Sequence, residues 1–248
     1  KIEIDALLSD INNIFSTYII NSEISKINKS TDIQIDISDR FSYVLNKSLY
    51  YCELSNGGYD ITVAPLVELW GFGKNKFQDF PSEESIYNTI KKIGFQNIYI
   101  KEKILYKKIN DISIDLNSIA KGYAVDEIAL LIISKGYTDF LVDIGGEIKS
   151  SIKNTDNWIV GIQDPLLDGV SQRGVIKKIL LNNKSMATSG TYNNYFLHDE
   201  EIFSHIINPK TGYPTSNNVV SATVIADNCI DADALATILN IMDINKGI

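Results

Sequence analysis

The sequence has 248 residues, of which 44% are hydrophobic and 22% are charged, as in an ordinary globular protein and unlike a disordered chain. Its 23 basic and 31 acidic residues give a formal net charge of −8, which argues against a general nucleic-acid binder because neutralising phosphates needs a basic surface. Two cysteines and two histidines without CxxC or HxxxH spacing exclude a disulfide framework and a structural zinc site, although a single disulfide bridge stays open.

Hydrophobic periodicity predicts helices and short strands in mixed order, with no apolar run of about 18 residues that could span a membrane. Helices are predicted over residues 4–15, from the cap Ser38 to the glycines at 57–58, from residues 81–84 to Gly94, over about 118–134, and from about Asp231. Strands are predicted at 98–100, 104–106, 112–116, 140–144, 158–162, 175–181, 202–207 and 219–226. The helix over 118–134 is apolar on most faces and is expected to be deeply buried. Because strict βαβ alternation is missing, the pattern favours a single α+β domain over a doubly wound sheet.

Familiar catalytic motifs are absent. Gly71-Phe72-Gly73 is followed by Lys76 where a dinucleotide fingerprint needs glycine, and Ser189 lacks the upstream glycine of a nucleophile elbow. A P-loop and a His-Glu-x-x-His motif are also missing. The sequence therefore argues against a serine hydrolase, a P-loop NTPase and a zinc protease.

The segment 115–126 combines a predicted strand end, a polar turn and a helix start. Free backbone groups at such a turn can bind a ligand or a metal, and a helix N-terminus favours phosphate. Lys121 in the first helical turn is disfavoured by the helix dipole unless an anion lies nearby. Its position leaves two interpretations open, a solvent-exposed lysine or a lysine beside an anionic ligand.

Asp233 and Thr237 are four residues apart, which places both side chains on one face of the closing helix. A carboxylate and a hydroxyl, with a backbone carbonyl and water, are oxygen ligands suited to Mg²⁺. Acidic residues in a first helical turn are also ordinary caps, so the spacing leaves both a metal site and capping open.

Two further segments carry candidate binding residues. His205 lies at a predicted strand end beside the turn Asn-Pro-Lys-Thr-Gly, a position that leaves open a structural residue, a base or a hydrogen-bond donor to phosphate. Gly57-Gly58 followed by Tyr59 either lets the backbone approach a flat ligand, on which the tyrosine stacks, or packs into the core under a turn.

Taken in order, these segments resemble the ApbE family, the Mg²⁺-dependent FAD:protein FMN transferases. The resemblance covers most of the chain and includes the strings Ala-Lys-Gly-Tyr-Ala-Val-Asp and Ala-Asp-Ala-Leu-Ala-Thr. The matching segments are 16–18, 22–28, 57–63, 69–73, 115–126, 142–147, 158–162, 187–190, 205–212 and 232–237. The family resemblance implies an ApbE-like (T-fold-like) architecture, a mixed and largely antiparallel sheet core flanked by helices.

The resemblance also implies residue roles. Mg²⁺ would be held by the backbone carbonyl of Ser118 and by side-chain oxygens of Asp233 and Thr237. FAD, as the substrate, would contact Asp115 and Lys121, while its flavin or adenine pocket would be lined by Phe15, Gly58, Tyr59, Asp60 and the backbone near Ile207. Asp233, His205 and Lys121 are the candidate catalytic residues.

The chain departs from the family pattern at several positions. Asn208 stands where the family's His-x-x-Asp-Pro turn has Asp, Thr191 follows Thr-Ser-Gly where Asp or Asn is common, and residues 153–157 lack the usual glycine. The resemblance also leads us to expect an early Met-Gly-Thr strand before the first residue, and a final helix and strand after the last. The candidate site residues are all present.

The implied activity moves FMN from FAD onto a Ser or Thr hydroxyl of an acceptor flavoprotein and releases AMP. Family acceptors are redox-pump or extracellular electron-transfer subunits with a Ser/Thr flavinylation motif. Two alternatives stay open, a Mg²⁺-dependent FAD pyrophosphatase giving FMN and AMP, and a non-catalytic flavin-binding or storage protein. The family resemblance implies a location in the periplasm or on the extracytoplasmic face of the membrane. It leaves open whether the full-length protein carries a lipid anchor.

Overall fold

Helices and short strands alternate irregularly in the computed structural model, which describes residues 1–73, 79–153, 157–165, 174–192, 194–198, 201–215 and 219–242. The helices in these ranges are α1 (Ile2–Phe15), α2 (Glu23–Lys29), α3 (Asp39–Leu54), α4 (Ala64–Leu69), α5 (Glu83–Ile90), α6 (Ala120–Ser134) and α7 (Cys229–Ile241), with a 3₁₀ turn at Phe95–Asn97. The strands are β1 (Gln34–Asp36), β2 (Ile98–Lys101), β3 (Ile104–Lys107), β4 (Phe140–Ile144), β5 (Glu147–Ser151), β6 (Ile159–Gln163), β7 (Val175–Leu180), β8 (Ser185–Gly190), β9 (Tyr195–His198), β10 (Glu201–Ser204) and β11 (Ser221–Ala226).

The strands pair in antiparallel fashion throughout the described ranges. The order β11-β8-β5-β4 forms a four-stranded sheet, β1-β3-β2 forms a three-stranded sheet, and β6-β7 and β9-β10 form two-stranded sheets. Helices α6 and α7 pack against the four-stranded sheet and against each other. This arrangement confirms the predicted α+β class with its largely antiparallel sheets.

Local sequence explains where the predicted helices begin and end. The Ser38 side chain accepts a hydrogen bond from the amide of Phe41, as expected of an N-cap. Helix α3 ends three residues before Gly57, because Asn56 and Gly57 adopt φ of 51° and 71° and the Gly57 amide turns back to the Cys52 carbonyl. Helix α7 begins at Cys229, two residues before the predicted start at Asp231.

The strand predicted at 112–116 is wrong. Ile112, Ile114 and Leu116 are fully buried, as their alternation indicates, but the segment pairs with no strand in the part of the chain that the structure describes. Instead, the Asn28 side chain donates to the Ile114 carbonyl and accepts from the Ile114 amide, both at 2.8 Å. A side-chain amide therefore replaces the neighbouring strand as the hydrogen-bond partner.

Other predicted elements differ in extent. The strand predicted at 202–207 ends at Ser204, and the strand predicted at 219–226 begins at Ser221. Helix α6 is buried mainly in its first half, because Leu130 and Ile133 are 60% and 50% exposed, so its predicted deep burial is only partly confirmed. The sequence patterns also missed α2, α4, β1, β5, β8 and β9.

The main core brings the first helices against the 112–119 segment and against α6 and α7. Phe41, Leu45, Ile112, Ile114 and Ile119 are among its fully buried side chains. The two cysteines, Cys52 and Cys229, are both buried and free, so the bridge that the sequence left open does not form. Among the described helices, none is long and apolar enough to cross a membrane.

Candidate active site

The first turn of α6 and the first half of α7 approach each other closely. A Cβ atom on Gly122 would lie 2.4 Å from the Cys229 carbonyl oxygen and 2.8 Å from the Asp233 Cβ, so only glycine fits here. The Gly122 amide donates to the Asp233 Oδ2 at 2.9 Å. The segment around Lys121 and the metal-binding helix proposed from the family resemblance are therefore in direct contact.

Asp233 is a buried carboxylate, 5% exposed, and Thr237 follows it by one helical turn on the same face of α7. Burial raises the pKa of Asp233 to about 7, the nearby Glu147 carboxylate adds to the rise, and Lys121 acts in the opposite direction. The Gly122 amide and Lys121 both favour the charged form of this carboxylate, and a further cation would favour it more.

Glu147 lies at this site although the sequence patterns assigned it no role. Gly145 and Gly146 adopt φ of 67° and 104° and form the turn that starts β5 at Glu147. The Glu147 side chain is 2% exposed, its Oε1 accepts from the Lys121 ammonium at 2.5 Å, and its Oε2 has no hydrogen-bond partner among the described residues. An acid directly after a Gly-Gly turn in segment 142–147 was the available signal.

Lys121 is therefore not simply a solvent-exposed lysine. Its side chain is half-exposed and bound to Glu147. Burial lowers the pKa of Lys121, but the carboxylates of Glu147 and Asp233 together raise it above its ordinary value. The ammonium stays charged beside two buried acids, with part of its surface open to a ligand.

Asp115 and Ser118 lie beside the segment that carries Tyr59. The Asp115 amide donates to the Ile61 carbonyl at 2.6 Å, and the Ser118 hydroxyl donates to the Tyr59 hydroxyl at 2.9 Å. Burial raises the pKa of both Asp115 and Tyr59. The structure thus brings together two segments that are more than 50 residues apart in the sequence.

Asp60 is fully engaged in local structure. Its Oδ1 accepts from the amide and hydroxyl of Thr62, and its Oδ2 accepts from the Phe95 amide. The carboxylate therefore holds the turn after Tyr59 against the 3₁₀ turn at 95–97. Its predicted role in lining the flavin pocket stays a prediction.

Phe15, Gly58 and Ile207 occupy different surroundings. Phe15 is 3% exposed and packs against Phe41 and Tyr123, with ring centroids 5.9 and 5.5 Å away. A Cβ on Gly58 would lie 3.2 Å from the Ser55 carbonyl oxygen, and Ile207, 4% exposed, pairs with Pro214 in an isolated bridge. Their contacts with FAD stay predictions.

His205 follows β10 directly and its orientation is fixed by backbone. Its Nδ1 lies 3.1 Å from the Asn194 carbonyl oxygen, which only accepts, so Nδ1 carries the hydrogen and Nε2 keeps its lone pair. Burial lowers the pKa of His205, the Asn194 backbone opposes this, and the charge of Lys121 lowers the pKa further. His205 is therefore a neutral imidazole within electrostatic reach of Lys121.

Asn208, which replaces the family's Asp, performs a structural task in the turn after His205. Its Oδ1 accepts from the Lys210 amide at 2.9 Å, and its carbonyl accepts from the Gly212 amide at 2.8 Å. The Gly212 carbonyl in turn accepts from the indole of the buried Trp70 at 2.7 Å. An uncharged side-chain oxygen is sufficient for this turn.

Comparison with known proteins identifies the family. The sequence model of the ApbE family matches residues 1–248. The chain belongs to the ApbE family. FAD:protein FMN transferase from Vibrio cholerae is 39% identical over 99% of this chain and 74% of its own length, and the Haemophilus influenzae protein of the same name is 37% identical over 99% and 73%. These matches confirm the family resemblance and the prediction that the chain is an enzyme of the transferase class.

Solved ApbE structures have the same fold. The flavin transferase ApbE from Vibrio cholerae matches with a TM-score of 0.89 and 37% identity, covering 99% of this chain and 79% of that one. The ApbE protein from Thermotoga maritima matches with a TM-score of 0.88 and 32% identity, covering 99% and 82%. The predicted ApbE-like architecture is confirmed.

The donor chemistry of this ApbE-family site fits a magnesium ion. Among the described residues, no group of three His, Cys, Asp or Glu side chains could hold a metal. The set expected from the family has only one such side chain, Asp233, and is completed by the Ser118 carbonyl and the Thr237 hydroxyl, which are the oxygen donors that Mg²⁺ prefers. Asp233 and Glu147 are both buried beside Lys121 and the pKa of each carboxyl is raised, so a divalent cation here would stabilise their ionised forms.

Proposed function

We propose that this protein is a Mg²⁺-dependent FAD:protein FMN transferase. In this reaction an acceptor Ser or Thr hydroxyl attacks the phosphorus on the FMN side of the FAD pyrophosphate. The P–O bond to the AMP phosphate breaks, AMP leaves, and FMN becomes a phosphoester on the acceptor. The observation that carries the proposal is that buried Asp233 bonds the Gly122 amide at the N-terminus of α6, where the charged Lys121 is bound to buried Glu147.

Lys121 and the α6 N-terminus supply the phosphate-binding part of the site. The Lys121 ammonium keeps hydrogens free beyond its bond to Glu147, and these can donate to pyrophosphate oxygens. Mg²⁺, held by the Ser118 carbonyl, Asp233 and Thr237, would neutralise charge that develops on the pyrophosphate. The positive end of the α6 dipole acts on the same anion.

His205 is the base that activates the acceptor. Its Nε2 lone pair can accept the proton of the attacking hydroxyl, while Nδ1–H stays on the Asn194 carbonyl and fixes the ring. Because the pKa of His205 is lowered, the imidazole is unprotonated at neutral pH and ready to accept a proton. The acceptor oxygen thereby becomes a better nucleophile toward phosphorus.

Two alternatives use the same pocket. With water as the acceptor, the protein would be an FAD pyrophosphatase giving FMN and AMP. A flavin-storage protein would bind FAD without turnover, but the Asp233 and Thr237 pair argues against it because storage needs no activating metal.

The test is to incubate the protein with FAD, Mg²⁺ and an acceptor domain carrying a Ser/Thr flavinylation motif, and to weigh the acceptor. A mass gain equal to an FMN group supports transfer. AMP release without acceptor labelling would instead support hydrolysis, and tight FAD binding without either product would support storage.

Substitution of Asp233 tests the metal part of the proposal. Asp233→Ala should abolish acceptor labelling and AMP release, because it removes a metal ligand and the partner of the Gly122 amide. Asp227→Ala is the matched control, since Asp227 precedes the same helix but its carboxylate is exposed and pairs with Lys184 at the surface. Full activity of Asp233→Ala would contradict the metal assignment.

The acceptor class and the location follow the same proposal. A flavin-bearing subunit of a redox pump or of extracellular electron transfer would be the partner, and residues 1–248 would form one flavin transferase domain at the periplasmic or outer face of the membrane. Fractionation of cells producing the full-length protein tests the location, with recovery in the cytoplasmic fraction as the contrary result.

A further inference from the structure

The N-terminus of α7 is capped by a residue of another helix. The local N-cap residue Asn228 makes no side-chain cap hydrogen bond. Instead, the Asp126 carboxylate on α6 accepts from the Cys229 amide at 3.0 Å and from the Ile230 amide at 2.9 Å. These are the first two residues of α7, whose amides have no partner within the helix.

The reverse contact caps α6. Gly122 is the third residue of α6, so its amide also lacks a partner within its own helix. Asp233 on α7 accepts from this amide at 2.9 Å. Each helix therefore supplies the carboxylate that caps the other, and we call Asp126, Asp233 and the three amides of Gly122, Cys229 and Ile230 the interhelix clasp.

The interhelix clasp is closely packed, and its Asp126 side chain is held in place by a neighbouring strand. Gly122 leaves no room for even one methyl group against Cys229 and Asp233. Asp126 is itself fixed from the sheet, because the Lys149 ammonium on β5 donates to its Oδ1 at 2.7 Å and also reaches the Asp227 carbonyl at 3.3 Å. The Asp126 side chain is only 13% exposed.

We propose that Asp126 is a positioning residue that fixes α7 against the first turn of α6 and so places Asp233 and Thr237. The hydrogen bonds of Asp126 go to Lys149 and to the backbone of Cys229 and Ile230, so it acts on Asp233 and Thr237 through the backbone of α7. The consequence for metal binding rests on the proposed function. The mechanical coupling between the N-termini of α6 and α7 is independent of that function.

The coupling predicts that a substitution of Asp126 changes the Gly122 amide, although the acceptor of that amide, Asp233, is not substituted. In Asp126→Ala, α7 loses its cap, Asp233 shifts, and hydrogen exchange of the Gly122 amide should become about tenfold faster or more. Exchange at Leu105, a buried residue of β3, should stay unchanged, which separates loss of the clasp from general destabilisation. Asp126→Asn keeps one acceptor oxygen and should restore part of the protection.

Asp231→Ala is the matched control. Asp231 lies in the same first turn of α7, but its carboxylate accepts from Lys47 and Tyr51 of α3 and not from an α6 amide. This variant should lower the free energy of unfolding while leaving Gly122 exchange as in the parent protein. Unchanged Gly122 exchange in Asp126→Ala would overturn the proposal.

Metal binding gives the second readout. Isothermal titration with Mg²⁺ alone should show the dissociation constant rising about tenfold or more in Asp126→Ala, less in Asp126→Asn, and little in Asp231→Ala. Faster Gly122 exchange with an unchanged Mg²⁺ constant would overturn the positioning of the metal ligands. A parent protein that neither binds Mg²⁺ nor needs it for turnover would refute the proposed function, whereas Gly122 exchange would still decide the coupling.

Discussion

Lys121 shows how much a single residue depends on distant neighbours. The sequence placed a cation in a helical first turn, where the dipole disfavours it, and left open whether an anion lies nearby. The structure supplies Glu147 and Asp233, which are 26 and 112 positions further along the chain. Only the resemblance to a family could have indicated this grouping, because no local pattern brings these three residues together.

The buried Glu147 carboxylate lowers the free energy of unfolding of the protein when no metal or FAD is bound. It is a buried carboxylate with one oxygen on a half-exposed lysine and one oxygen without a partner among the described residues. Burial raises the pKa of Glu147 above its unfolded value, so the folded protein holds the Glu147 proton more tightly than the unfolded chain does. The Glu147 contribution to stability therefore falls as the pH rises from the unfolded pKa to the raised folded pKa, and stays at that lower value at higher pH.

Glu147→Gln should accordingly stabilise the protein and impair transfer. We expect the free energy of unfolding to rise by about 1 kcal/mol near neutral pH, because the desolvated charge of Glu147 is removed while the half-exposed Lys121 that loses its partner stays in contact with water. The gain should vanish in acid, where Glu147 is protonated in both states. FMN transfer should fall because Lys121 loses its charged anchor. Urea denaturation across a pH series and the acceptor-labelling assay measure the two effects.

Glu127→Gln is the control for this trade-off. Glu127 also lies at the α6 surface and pairs with Arg40 at 3.5 Å, but it is more exposed and should give no gain in stability. If Glu147→Gln instead lowers the free energy of unfolding at all pH values, the prediction is wrong. The Lys121–Glu147 ion pair then contributes more to stability than the desolvation of Glu147 costs.

At the scale of elements, predictions succeeded where the chain carries its own boundary signals. Ser38 caps α3, and strand β4 has the predicted bounds because Phe140–Ile144 pairs along its whole length with β5. The strand predicted at 112–116 failed because its partner is the side chain of Asn28, which periodicity cannot reveal. Short elements such as α2 and β1, with seven and three residues, give too little periodic signal.

The contact between α6 and α7 predicts a specific effect of Gly122→Ala. The added methyl group would collide with the Cys229 carbonyl and the Asp233 Cβ, which are backbone and near-backbone atoms that cannot turn away. The helices must separate, so we expect a loss of about 1–3 kcal/mol in the free energy of unfolding together with loss of FMN transfer. Denaturation and acceptor labelling of one sample measure both.

Gly136→Ala is a control with a similar stability cost from a different cause. Gly136 follows α6 with φ of 88° and nothing within 4 Å of an added Cβ, so alanine would strain the backbone without touching the site. We expect it to lower stability by about 1 kcal/mol while transfer continues. If Gly122→Ala also retains full transfer, close contact between the two helices is not required for activity.

At the scale of the whole molecule, the sequence predicted the α+β class, and the family resemblance predicted the architecture. The contacts among residues 59, 118, 121 and 233 could not follow from periodicity, because these residues lie on three separate segments, 57–63, 115–126 and 232–237, that only the folded chain brings together. Asp60 shows the same limit, since its bond to the Phe95 amide, 35 residues away, is defined only by the folded chain. Asn208 is the opposite case, because it holds a local turn that the sequence Asn-Pro-Lys-Thr-Gly already indicates.

The net charge of −8 leads to a prediction about FAD encounter. FAD is an anion, so at long range the protein repels its proposed substrate, whereas Lys121 and the α6 N-terminus attract it at short range. Salt screens the long-range repulsion, with a Debye length of about 10 Å at 0.1 M. The FAD association rate should therefore rise several-fold between about 10 and about 150 mM NaCl. Stopped-flow quenching of flavin fluorescence in EDTA measures this rate without a contribution from Mg²⁺.

Riboflavin supplies the control for this prediction, because it carries the same ring system without phosphates. Its association rate should not change over the same salt range, since an uncharged ligand does not experience the field of the protein. A fall in the FAD rate with salt would mean that the local field of Lys121 governs the encounter, even though 31 acidic residues outnumber 23 basic ones over the whole chain. An equal rise for both flavins would point to a salt effect on the protein itself and would contradict long-range repulsion as the cause.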